Sequence, residues 1–342
     1  MSEPGALLVT GGAGFIGSTF VEMALARGHR VVVLDALTYA GHRENLPVHD
    51  RCQLVVGDVC DGRLVANLLR DHRARSVVNF AAESHVDRSI DAPAAFIQTN
   101  VVGTFTMLNA ALAHWQQLPA NDKARFRFLQ VSTDEVYGSL GEEGKFSETS
   151  PMTPNSPYAA SKAAADHLVR AWHHTYGLPT LTTHCSNNYG PRQYPEKLIP
   201  TLITRALAGK PLPVYGKGEN TRDWIHVEDH CSGLLLALER GVAGKTYCFG
   251  GHAERKNIDL AKRLCAILDR LHPRGDGRPY EAQIEFVTDR LGHDWRYAID
   301  DTLAQTELGF TRRHDFEDGL AATVKWYLDN SSWCETVLRS IP

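Results

Sequence analysis

The chain has 342 residues, of which 43% are hydrophobic and 22% are charged, a composition typical of a globular protein that buries a large core. Its 36 basic and 40 acidic residues give a formal net charge of −4 with no long basic run, which argues against sequence-independent binding to nucleic acid. The N-terminal residues lack a basic region followed by a long apolar segment, and no apolar stretch approaches the roughly 20 residues of a membrane span, so we expect a cytoplasmic protein with no membrane partner.

The first predicted element is a strand at residues 6–10, followed at once by a glycine-rich turn and a helix. The turn carries Gly11, Gly14 and Gly17, a spacing that differs from the usual Gly-x-Gly-x-x-Gly. Glycines here let the backbone approach a pyrophosphate, and the N-terminus of the following helix offers it unpaired N–H groups. The pattern favours a dinucleotide site, and a plain glycine-rich turn is the alternative.

The second predicted strand, at residues 30–35, ends in an acidic residue. Asp35 follows Gly17 by 18 positions, where a carboxylate can hydrogen-bond the adenosine ribose and repel a 2′-phosphate. NAD is therefore favoured over NADP, and a helix cap or turn residue is the alternative interpretation of Asp35. Asp58, which follows the apolar run at 53–57, is a candidate adenine contact or equally a turn residue.

Strand-like runs alternate with helical segments over the first half of the chain. The runs cover residues 6–10, 30–35, 52–58, 76–81, 125–132 and 178–185. Such alternation predicts an α/β fold with a Rossmann-type, doubly wound parallel sheet, whose ligands bind beyond the carboxyl ends of the strands.

The pattern becomes irregular after about residue 186. Clusters of Pro and Gly are interleaved there with predicted helices near 198–209, 227–240, 257–271 and 316–329. We therefore expect an NAD-binding Rossmann domain at residues 1–186 and a smaller mixed α/β substrate-binding lobe at residues 187–342, with a chain that can cross between the two.

Seven cysteines and sixteen histidines raise the question of disulfides and metals. The cysteines are odd in number and include no Cys-x-x-Cys pair, and no His-Glu-x-x-His pattern is present. These patterns argue against a disulfide framework and against a zinc site. We expect buried free thiols and no metal.

Tyr158 and Lys162 stand four residues apart on one face of a predicted helix. A free tyrosine titrates near about 10, and both the Lys162 ammonium and an oxidised nicotinamide would favour the phenolate and so bring Tyr158 toward the range useful for acid/base catalysis. Thr133, after the strand-like run 125–132, would donate a hydrogen bond to a substrate hydroxyl. Behind a glycine-rich turn this set indicates a redox site, and a tyrosine packed beside a surface lysine is the alternative.

Asp134 and Glu135 directly follow Thr133. The reaction of a plain alcohol dehydrogenase does not use two further carboxyl groups, whereas an elimination can use both. Oxidation of a sugar at C4 acidifies the C5–H, so that a carboxylate can remove that proton while a carboxylic acid protonates the leaving C6 hydroxyl. Adjacent strand residues point in opposite directions, so both reach one substrate only if the strand ends and the chain turns. A pair that caps the next loop is the alternative.

These motifs resemble those of the dTDP-glucose 4,6-dehydratases, a family of the extended short-chain dehydrogenase/reductase superfamily. The resemblance spans residues 6 to about 333 and rests on TGGAGFIGS, LDALTYAG, NFAAESHVDRSI, TNVVGT, STDEVYG, SPYAASKA, CSNNYGP, PEKLIP, PVYGKGENTRDWIHVEDH and GHDWRYAID. STDEVYG is the most diagnostic of them, because epimerases and decarboxylases of similar architecture generally lack the Asp-Glu pair.

The resemblance implies a hydro-lyase with tightly held NAD that converts dTDP-glucose to dTDP-4-keto-6-deoxyglucose and water. Tyr158 would take the C4 hydroxyl proton while hydride passes to NAD, assisted by Lys162 and Thr133. Glu135 would remove the C5 proton and Asp134 would protonate the departing C6 hydroxyl. Hydride would then return to C6 as Glu135 reprotonates C5.

The resemblance also implies which residues touch the cofactor and the substrate. NAD would contact Gly11, Gly14, Phe15, Ile16, Gly17, Asp35, Thr38, Asp58, Val59, Ala81, Ala82, Thr99, Tyr158, Lys162 and Asn188. The nucleotide sugar would contact Ser84, His85, Asn187, Lys197, Leu198, Pro213, Tyr215, Arg222, Asn257, Arg290 and His293.

The chemistry of three implied substrate residues suits a nucleoside diphosphate. Arg222 and Arg290 offer planar bidentate donors for the diphosphate, and Tyr215 offers a face on which a pyrimidine can stack. A surface ion pair of Arg222 with Asp223 or Glu219, and simple packing of Tyr215, are the alternatives.

Three positions differ from the pattern expected of the family. Leu291 precedes the Gly-His-Asp triplet where Pro is usual, Trp295 replaces a commonly basic or small residue, and His184 precedes the CSNNYGP motif. They leave the reaction unaffected and bear on substrate fit.

A homodimer is a further implication of the resemblance. Helices near 93–116 and 158–176 would pair with their copies in a four-helix bundle. The first of them has enough apolar positions for two faces, although a helix buried against its own sheet has a similar pattern.

Two other functions stay open at this point. An NAD-dependent sugar-nucleotide epimerase or decarboxylase would share the cofactor and Tyr158 but skip the elimination, and Asp134 and Glu135 count against it. A non-catalytic nucleotide sensor would keep the fold without turnover. A sensor does not need Thr133, Asp134, Glu135, Tyr158 and Lys162 together, so this set counts against that function.

Overall fold

The structure, a computed structural model, describes residues 5–339, and residues 1–4 and 340–342, the outer ends of the two predicted domains, lie outside the described residues. The described strands are β1 Leu7–Thr10, β2 Val31–Asp35, β3 Cys52–Val56, β4 Ser76–Asn79, β5 Arg127–Val131, β6 Thr180–Cys185, β7 Asn187–Tyr189, β8 Leu212–Tyr215, β9 Thr221–His226, β10 Thr246–Phe249, β11 Glu254–Lys256 and β12 Ile284–Val287. The described α-helices are α1 Phe15–Ala26, α2 Gly62–Asp71, α3 Val86–Asp91, α4 Pro93–Phe96, α5 Thr104–Gln117, α6 Ala120–Arg125, α7 Pro157–Tyr176, α8 Leu198–Leu207, α9 Val227–Arg240, α10 Asn257–Leu271, α11 Phe316–Asp329 and α12 Ser331–Arg339. Short 3₁₀ helices cover Arg43–Asn45, Asp134–Tyr137 and Tyr280–Gln283, and π-helical turns cover Ile97–Gly103 and Ala304–Leu308.

Seven parallel strands form the main sheet in the order β3-β2-β1-β4-β5-β6-β10. Strands β1 to β6 correspond to the six predicted runs, so the prediction of a doubly wound α/β fold is confirmed. Strands β1, β2 and β4 are buried along their whole length, as expected of a parallel sheet covered on both faces. Because the order reverses between β1 and β4, a crevice opens beyond their carboxyl ends.

Alternate side chains of these strands fill two separate cores. Val9 and Val33 pack in the core under α1 and α9, whereas Leu8 and Leu34 pack in the core under α2, α5 and α7. This is the period of two that a strand imposes. A slip of one residue would exchange the two faces, so the apolar pattern fixes the level at which each strand ends.

The seventh strand comes from beyond residue 186. Helix α9 packs against α1, and β10 pairs with β6, so the chain returns to the first domain after β9. The predicted boundary at residues 186 and 187 therefore separates the first six strands from most of the second lobe but not from β10. At 4 residues, β10 is too short to show a period in the sequence.

The second lobe combines two small sheets with three helices. The sheets are β11-β9-β7 and β12-β8, and their core also takes side chains from α8, α10 and α11. The predicted helices near 198–209, 257–271 and 316–329 are confirmed by these three helices. After α11, the Trp333 indole N–H donates to the Asn45 side chain at 2.9 Å, which ties the end of the lobe to the first domain. Within residues 5–339, none of the helices has the length and apolar character needed to cross a bilayer.

Candidate active site

One cavity of about 810 Å³ lies beyond the carboxyl ends of the main sheet and extends to the second lobe. Every catalytic, cofactor and substrate residue predicted from the sequence lines it, from Gly11 in the first turn to His293 in the lobe. The fold thus brings the complete predicted set together. The individual role of each residue stays a prediction.

The glycine-rich turn fits a bound pyrophosphate. Gly11 has a φ of +65°, and a Cβ there would lie 2.7 Å from the backbone nitrogen of Ala81. A Cβ on Gly17 would lie 2.3 Å from the carbonyl oxygen of Gly11, so both positions require glycine. Gly14 caps α1 without a side-chain hydrogen bond, and the first turn of α1 contains no acidic residue. The first-turn N–H groups therefore face the cavity without a competing anion.

The predicted adenosine residues have structural partners as well. The Asp35 carboxylate accepts the backbone N–H groups of Ala13 and Leu37, each at 2.9 Å, and burial raises the pKa of Asp35 despite these two hydrogen bonds. Each oxygen keeps a further lone pair for a ribose hydroxyl. Asp58 accepts the Cys60 N–H at 2.8 Å, so it closes a turn and lines the cavity at the same time.

Tyr158 and Lys162 are placed by helix α7. The Ser156 hydroxyl accepts the Ala159 N–H at 3.1 Å and so caps the start of this helix. The Lys162 ammonium is 4% exposed and donates to the carbonyl of Val131, the last residue of β5, at 2.8 Å. This hydrogen bond joins the helix to the strand end.

The net effect of the protein's own groups is to raise the pKa of Tyr158. Burial raises this pKa well above its ordinary value, and the charge of Glu135 adds to the rise, whereas a hydrogen bond with Thr133 opposes it. The lowering of this pKa that the sequence predicts for Lys162 and for a positive nicotinamide ring stays a prediction.

Asp134 and Glu135 reach the same cavity because the chain turns immediately after β5. The 3₁₀ helix Asp134–Tyr137 follows, and the Thr133 hydroxyl caps it by accepting the Glu135 N–H at 3.3 Å. Thr133 therefore does the capping that the alternative interpretation assigned to the carboxyl pair. Both carboxyl groups line the cavity, which meets the geometric condition for a joint action on one substrate.

The two carboxyl groups have different electrostatic surroundings. Asp134 is 1% exposed, and its Oδ2 atom makes no hydrogen bond within the described part of the chain. Burial, followed by the charge of Glu135, raises the pKa of Asp134 well above its ordinary value. Burial also raises the pKa of Glu135, but Lys197 and then Arg222 oppose that rise. The arrangement favours a protonated Asp134 beside an ionised Glu135, a separation of roles often found in acid/base pairs.

Arg222 is a cavity residue and not part of a surface ion pair. Its side chain is 8% exposed, donates to the Asp294 carbonyl at 2.9 Å, and lies 4.3 Å from the ring centre of Tyr297. Within the described residues it forms no salt bridge with Asp223 or Glu219, which was the alternative. Its guanidinium is thus held in place by neutral groups and keeps its charge for an anion.

Arg290 and Tyr215 lie at the mouth of the cavity. The Arg290 Nε atom lies 2.7 Å from the Asp87 carboxylate, and the guanidinium lies 5.2 Å from the ring centre of Tyr215. Asp87 belongs to α3 of the first domain, so this ion pair bridges the two lobes. Tyr215 is 36% exposed, which leaves a ring face accessible for stacking.

The cavity contains residues that the sequence analysis did not select. Glu196, Asp294 and Tyr297 belong to the motifs PEKLIP and GHDWRYAID, in which neighbouring residues were chosen instead. The Tyr297 hydroxyl donates to the Asp294 carboxylate. Both residues contact Arg222, Asp294 through its backbone carbonyl and Tyr297 through its ring. Their membership in a family motif was the available signal, but their role depends on packing that the sequence does not display.

A second cluster of potential ligands lies outside the cavity. His226, Glu228 and His314 bring ligand atoms within 4.8 Å of one another. The two imidazole rings are stacked, with centres 3.9 Å apart and planes 23° from parallel, so their in-plane lone pairs do not converge on one ion. His314 instead contacts the carboxylates of Asp229 and Glu228, which raise its pKa to about 9. The absence of a metal requirement stays a prediction.

The three departures from the family pattern lie away from the cavity. Leu291 and Trp295 are 78% and 45% exposed, and neither residue lines the cavity. The expectation that they bear on substrate fit stays a prediction. His184 is fully buried and lies within hydrogen-bond distance of Tyr137, the last residue of the 3₁₀ helix Asp134–Tyr137.

Comparison with known proteins identifies relatives over nearly the full chain. Residues 8–323 match the model of the GDP-mannose 4,6-dehydratase family. A dTDP-glucose 4,6-dehydratase of Xanthomonas campestris pv. campestris is 59% identical over 334 residues, which cover 97% of this chain and 95% of the relative.

Solved structures agree with the sequence comparison. The dTDP-glucose 4,6-dehydratase DesIV of Streptomyces venezuelae, crystallised with NAD and dTDP, superposes with a TM-score of 0.88 at 47% identity, covering 97% of this chain and 99% of that chain. A UDP-glucose 4-epimerase of Thermotoga maritima, crystallised with UDP-glucose, superposes with a TM-score of 0.85 at 27% identity, covering 95% and 99%. The fold alone therefore does not distinguish dehydration from epimerisation.

We predict that Gly17→Ala lowers the free energy of unfolding by about 1–3 kcal/mol, because the new methyl group overlaps a backbone carbonyl, and that the purified protein carries less NAD. Denaturant titration and the ratio of nucleotide to protein absorbance measure the two effects. The matched control is Gly62→Ala in the first turn of α2, where a Cβ meets only Thr106 Cγ2 at 3.3 Å, and a change within about 0.5 kcal/mol is expected. Equal effects of the two substitutions would contradict the prediction.

Proposed function

The chain belongs to the dTDP-glucose 4,6-dehydratases, within the GDP-mannose 4,6-dehydratase family, and from this membership we propose that it converts dTDP-glucose to dTDP-4-keto-6-deoxyglucose and water. It is a hydro-lyase that uses NAD. The observation that carries the proposal is the presence of Asp134, Glu135, Tyr158 and Lys162 on the wall of one cavity.

The first chemical task is oxidation at C4. NAD, when bound, supplies this step by accepting a hydride from C4 and later returning it to C6. Tyr158 takes the proton of the C4 hydroxyl, and Thr133, which hydrogen-bonds the Tyr158 side chain, donates to the same hydroxyl. Lys162 holds the strand end in place through Val131 and supplies a positive charge on the tyrosine's side of the helix.

The second task is elimination of water across C5 and C6. Glu135, at which Lys197 and Arg222 oppose the rise in pKa caused by burial, acts as the carboxylate that removes the C5 proton acidified by the C4 ketone. Asp134, kept protonated by burial, transfers its proton to the C6 hydroxyl as the C6–O bond breaks. Glu135 then returns its proton to C5 when hydride adds to C6. Tyr158 still holds the C4 hydroxyl proton and Asp134 has lost its own, so the transfer of one proton from Tyr158 to Asp134 through solvent completes the cycle.

The nucleoside diphosphate is assigned to the lobe side of the cavity. Arg222 and Arg290 supply the positive charge for a diphosphate, and Tyr215 supplies a ring face for the base. Asn187 and Asn257 each have a buried side-chain oxygen without a hydrogen bond among the described residues, which makes them acceptors for ligand hydroxyl or N–H groups.

A cytoplasmic location and a homodimer are further parts of the proposal. All seven cysteines, which lie within the described residues, are free, as is typical of a reducing compartment. Four apolar residues on the surface formed by the π-helical turn, α5 and α7 support self-association, since Ile97, Val102, Phe105 and Tyr176 are 37–50% exposed. Two copies joined through this surface would form the implied four-helix bundle.

We predict that incubation with dTDP-glucose, without added reductant, yields a 4-keto-6-deoxy sugar nucleotide. The product is detected by its absorbance in alkali and by mass spectrometry as the loss of one water. No product from dTDP-, UDP-, GDP- or CDP-glucose would reject dehydratase activity, and formation of a 4-epimer would select the epimerase alternative.

We predict that Glu135→Gln and Asp134→Asn each lower kcat for dehydration by about 10²–10⁴-fold, the usual contribution of a general acid or base, but block different steps. Glu135→Gln should still oxidise C4 while failing to exchange the C5 proton with deuterated solvent. Asp134→Asn should oxidise C4 and exchange C5 but fail to lose water. Rapid-mixing absorbance of the reduced nicotinamide and NMR of recovered sugar nucleotide measure these steps.

The control for this pair is Glu142→Gln, which changes an exposed carboxylate and should leave turnover unaffected. Normal product formation by Glu135→Gln would show that the base is misassigned. Loss of C5 exchange in Asp134→Asn would show that the two roles are not divided as proposed.

We predict that sedimentation velocity gives a species of twice the 37.9 kDa chain mass, and that Phe105→Glu shifts it to the monomer by placing a charge in an apolar interface. Val242→Glu is the matched control, because Val242 is 51% exposed but lies outside the surface formed by α5 and α7. A monomeric wild-type protein, or dissociation by both substitutions, would contradict the proposed interface.

A further inference from the structure

Four buried polar side chains form a hydrogen-bonded series beneath the 3₁₀ helix Asp134–Tyr137, which we call the catalytic turn. The Ser132 hydroxyl donates to Asp166 Oδ2 at 2.7 Å, His184 Nε2 lies 3.1 Å from the same oxygen, and the Tyr137 hydroxyl lies 2.5 Å from His184 Nδ1. All four side chains are at most 5% exposed. The predicted reaction uses none of them, and His184 is one of the departures from the family pattern.

The partners determine the direction of each hydrogen bond. A carboxylate only accepts, so His184 Nε2 donates to Asp166, and the neutral imidazole then accepts the Tyr137 O–H at Nδ1. His184 is therefore a bridge that needs both of its nitrogens.

This series connects the 3₁₀ helix Asp134–Tyr137 with helix α7, the two elements that carry the proposed acid/base residues. Tyr137 ends the 3₁₀ helix that begins with Asp134. Asp166 lies on α7, one helical turn beyond Lys162 and on the same face. His184 lies on β6 between them.

Asp166 also opposes the effect of burial on Lys162. Burial lowers the pKa of Lys162, and the charge of Asp166, followed by that of Cys185, raises it. Burial itself raises the pKa of Cys185, so this thiol stays neutral near neutral pH. Asp166 Oδ1 makes no hydrogen bond among the described residues, which leaves it available for electrostatic interaction with the ammonium.

We propose that Asp166 and His184 are positioning residues for the proposed dehydratase reaction: Asp166 supplies the negative charge that keeps Lys162 an ammonium, and His184 holds Asp166 and Tyr137 so that α7 and the catalytic turn keep a fixed relation. The inference rests on the proposed function, because it assigns these residues a task only if Tyr158 and Lys162 act on substrate.

The other titratable groups around this series do not compete with Asp166 for that role. Cys248 Sγ lies 3.7 Å from the Tyr137 hydroxyl, and Glu148 accepts the Cys248 backbone N–H at 2.9 Å. Burial raises the pKa of both Tyr137 and Cys248, so both stay neutral over the working range.

We expect Asp166→Asn to move the alkaline limb of the kcat–pH profile to lower pH by about one pH unit or more, the effect of removing one opposite charge at short range. The sign follows because Lys162 acts as an ammonium: activity is lost as pH rises through its pKa, and that pKa falls when the negative charge is removed. The amide oxygen of the substituted side chain can still accept from Ser132 and His184, so the geometry is retained.

A second measurement does not require turnover of dTDP-glucose. Acetic anhydride acylates a lysine only as the free amine, so mass spectrometry of Lys162 labelling against pH reports its titration in the full-length protein as purified. The labelling midpoint should fall in Asp166→Asn. In His184→Phe the Asp166 carboxylate keeps its charge and loses only one hydrogen-bond donor, so the labelling midpoint of Lys162 should not fall.

His184 itself is tested by exchange with another bridging side chain. His184→Phe should reduce kcat by about tenfold with little change in KM, since misplaced catalytic groups lose rate rather than binding. His184→Gln, whose amide offers one donor and one acceptor, should recover most of the loss. A purely structural role would lower Tm in both variants without this difference in kcat.

Asp301→Asn is the matched control for a buried carboxylate. Asp301 is fully buried, pairs with Arg312 and lies outside the cavity lining. This variant should therefore have a lower Tm without a change in the kcat–pH profile or in the Lys162 labelling midpoint.

An Asp166→Asn variant whose kcat–pH profile and Lys162 labelling midpoint both match the wild type would overturn the inference. If Asp166→Asn does not fold, Asp166→Ser, which also removes the charge, takes its place, and an unchanged Lys162 midpoint in that variant overturns the inference. A wild-type protein that shows no turnover would instead reject the proposed function, while the labelling result would still decide the charge relation.

Discussion

The hydrogen bond from Lys162 to the carbonyl of Val131, at 2.8 Å, is the interaction on which the arrangement of the site depends. Val131 is the last residue of β5, so whatever follows it is placed relative to α7 through this contact. Since Lys162 is 4% exposed, breaking this bond would leave a buried ammonium without its carbonyl acceptor. The spacing between Tyr158 and the carboxyl pair is therefore set by a strand end and a helix, which are more rigid than a loop.

Burial has opposite effects on the two classes of charged group in this cavity. It raises the pKa values of Asp134, Glu135 and Tyr158 and lowers those of Lys162 and Lys197. Each group is thereby driven toward its neutral form, and shifts from burial alone reach about 3–5 pH units for fully buried groups. Which groups stay charged then depends on close neighbours, and only Glu135 has Lys197 as its main opposing charge. This difference in surroundings, and not the chemistry of Asp versus Glu, supports the proposed division of the pair into an acid and a base.

Local patterns in the sequence were sufficient for the features that depend on neighbouring residues. The apolar runs predicted strands β1 to β6, and the step from Gly11 to Asp35 predicted a dinucleotide crevice, because strand period and glycine conformation are local properties. A chain that can cross between the lobes was expected, but β10 was not identified as the strand that returns to the main sheet, since it is a short strand whose partner β6 lies about sixty residues earlier in the chain. Likewise, the pKa of Tyr158 was predicted from its helix neighbour, while burial, a property of the whole fold, dominates it.

Three buried oxygen atoms without hydrogen bonds within residues 5–339 lie where the proposed substrate would bind. Asp134 Oδ2, Asn187 Oδ1 and Asn257 Oδ1 are buried without hydrogen bonds among the described residues, and all three residues line the cavity. Each such atom destabilises the protein alone by about 1–3 kcal/mol, which the two cores of the main sheet must offset. A ligand can satisfy these atoms, by donating to the two amide oxygens and, under the proposed reaction, by accepting the proton of Asp134. Binding then depends on the groups that a sugar nucleotide presents at these three points as well as on the sheet that positions them.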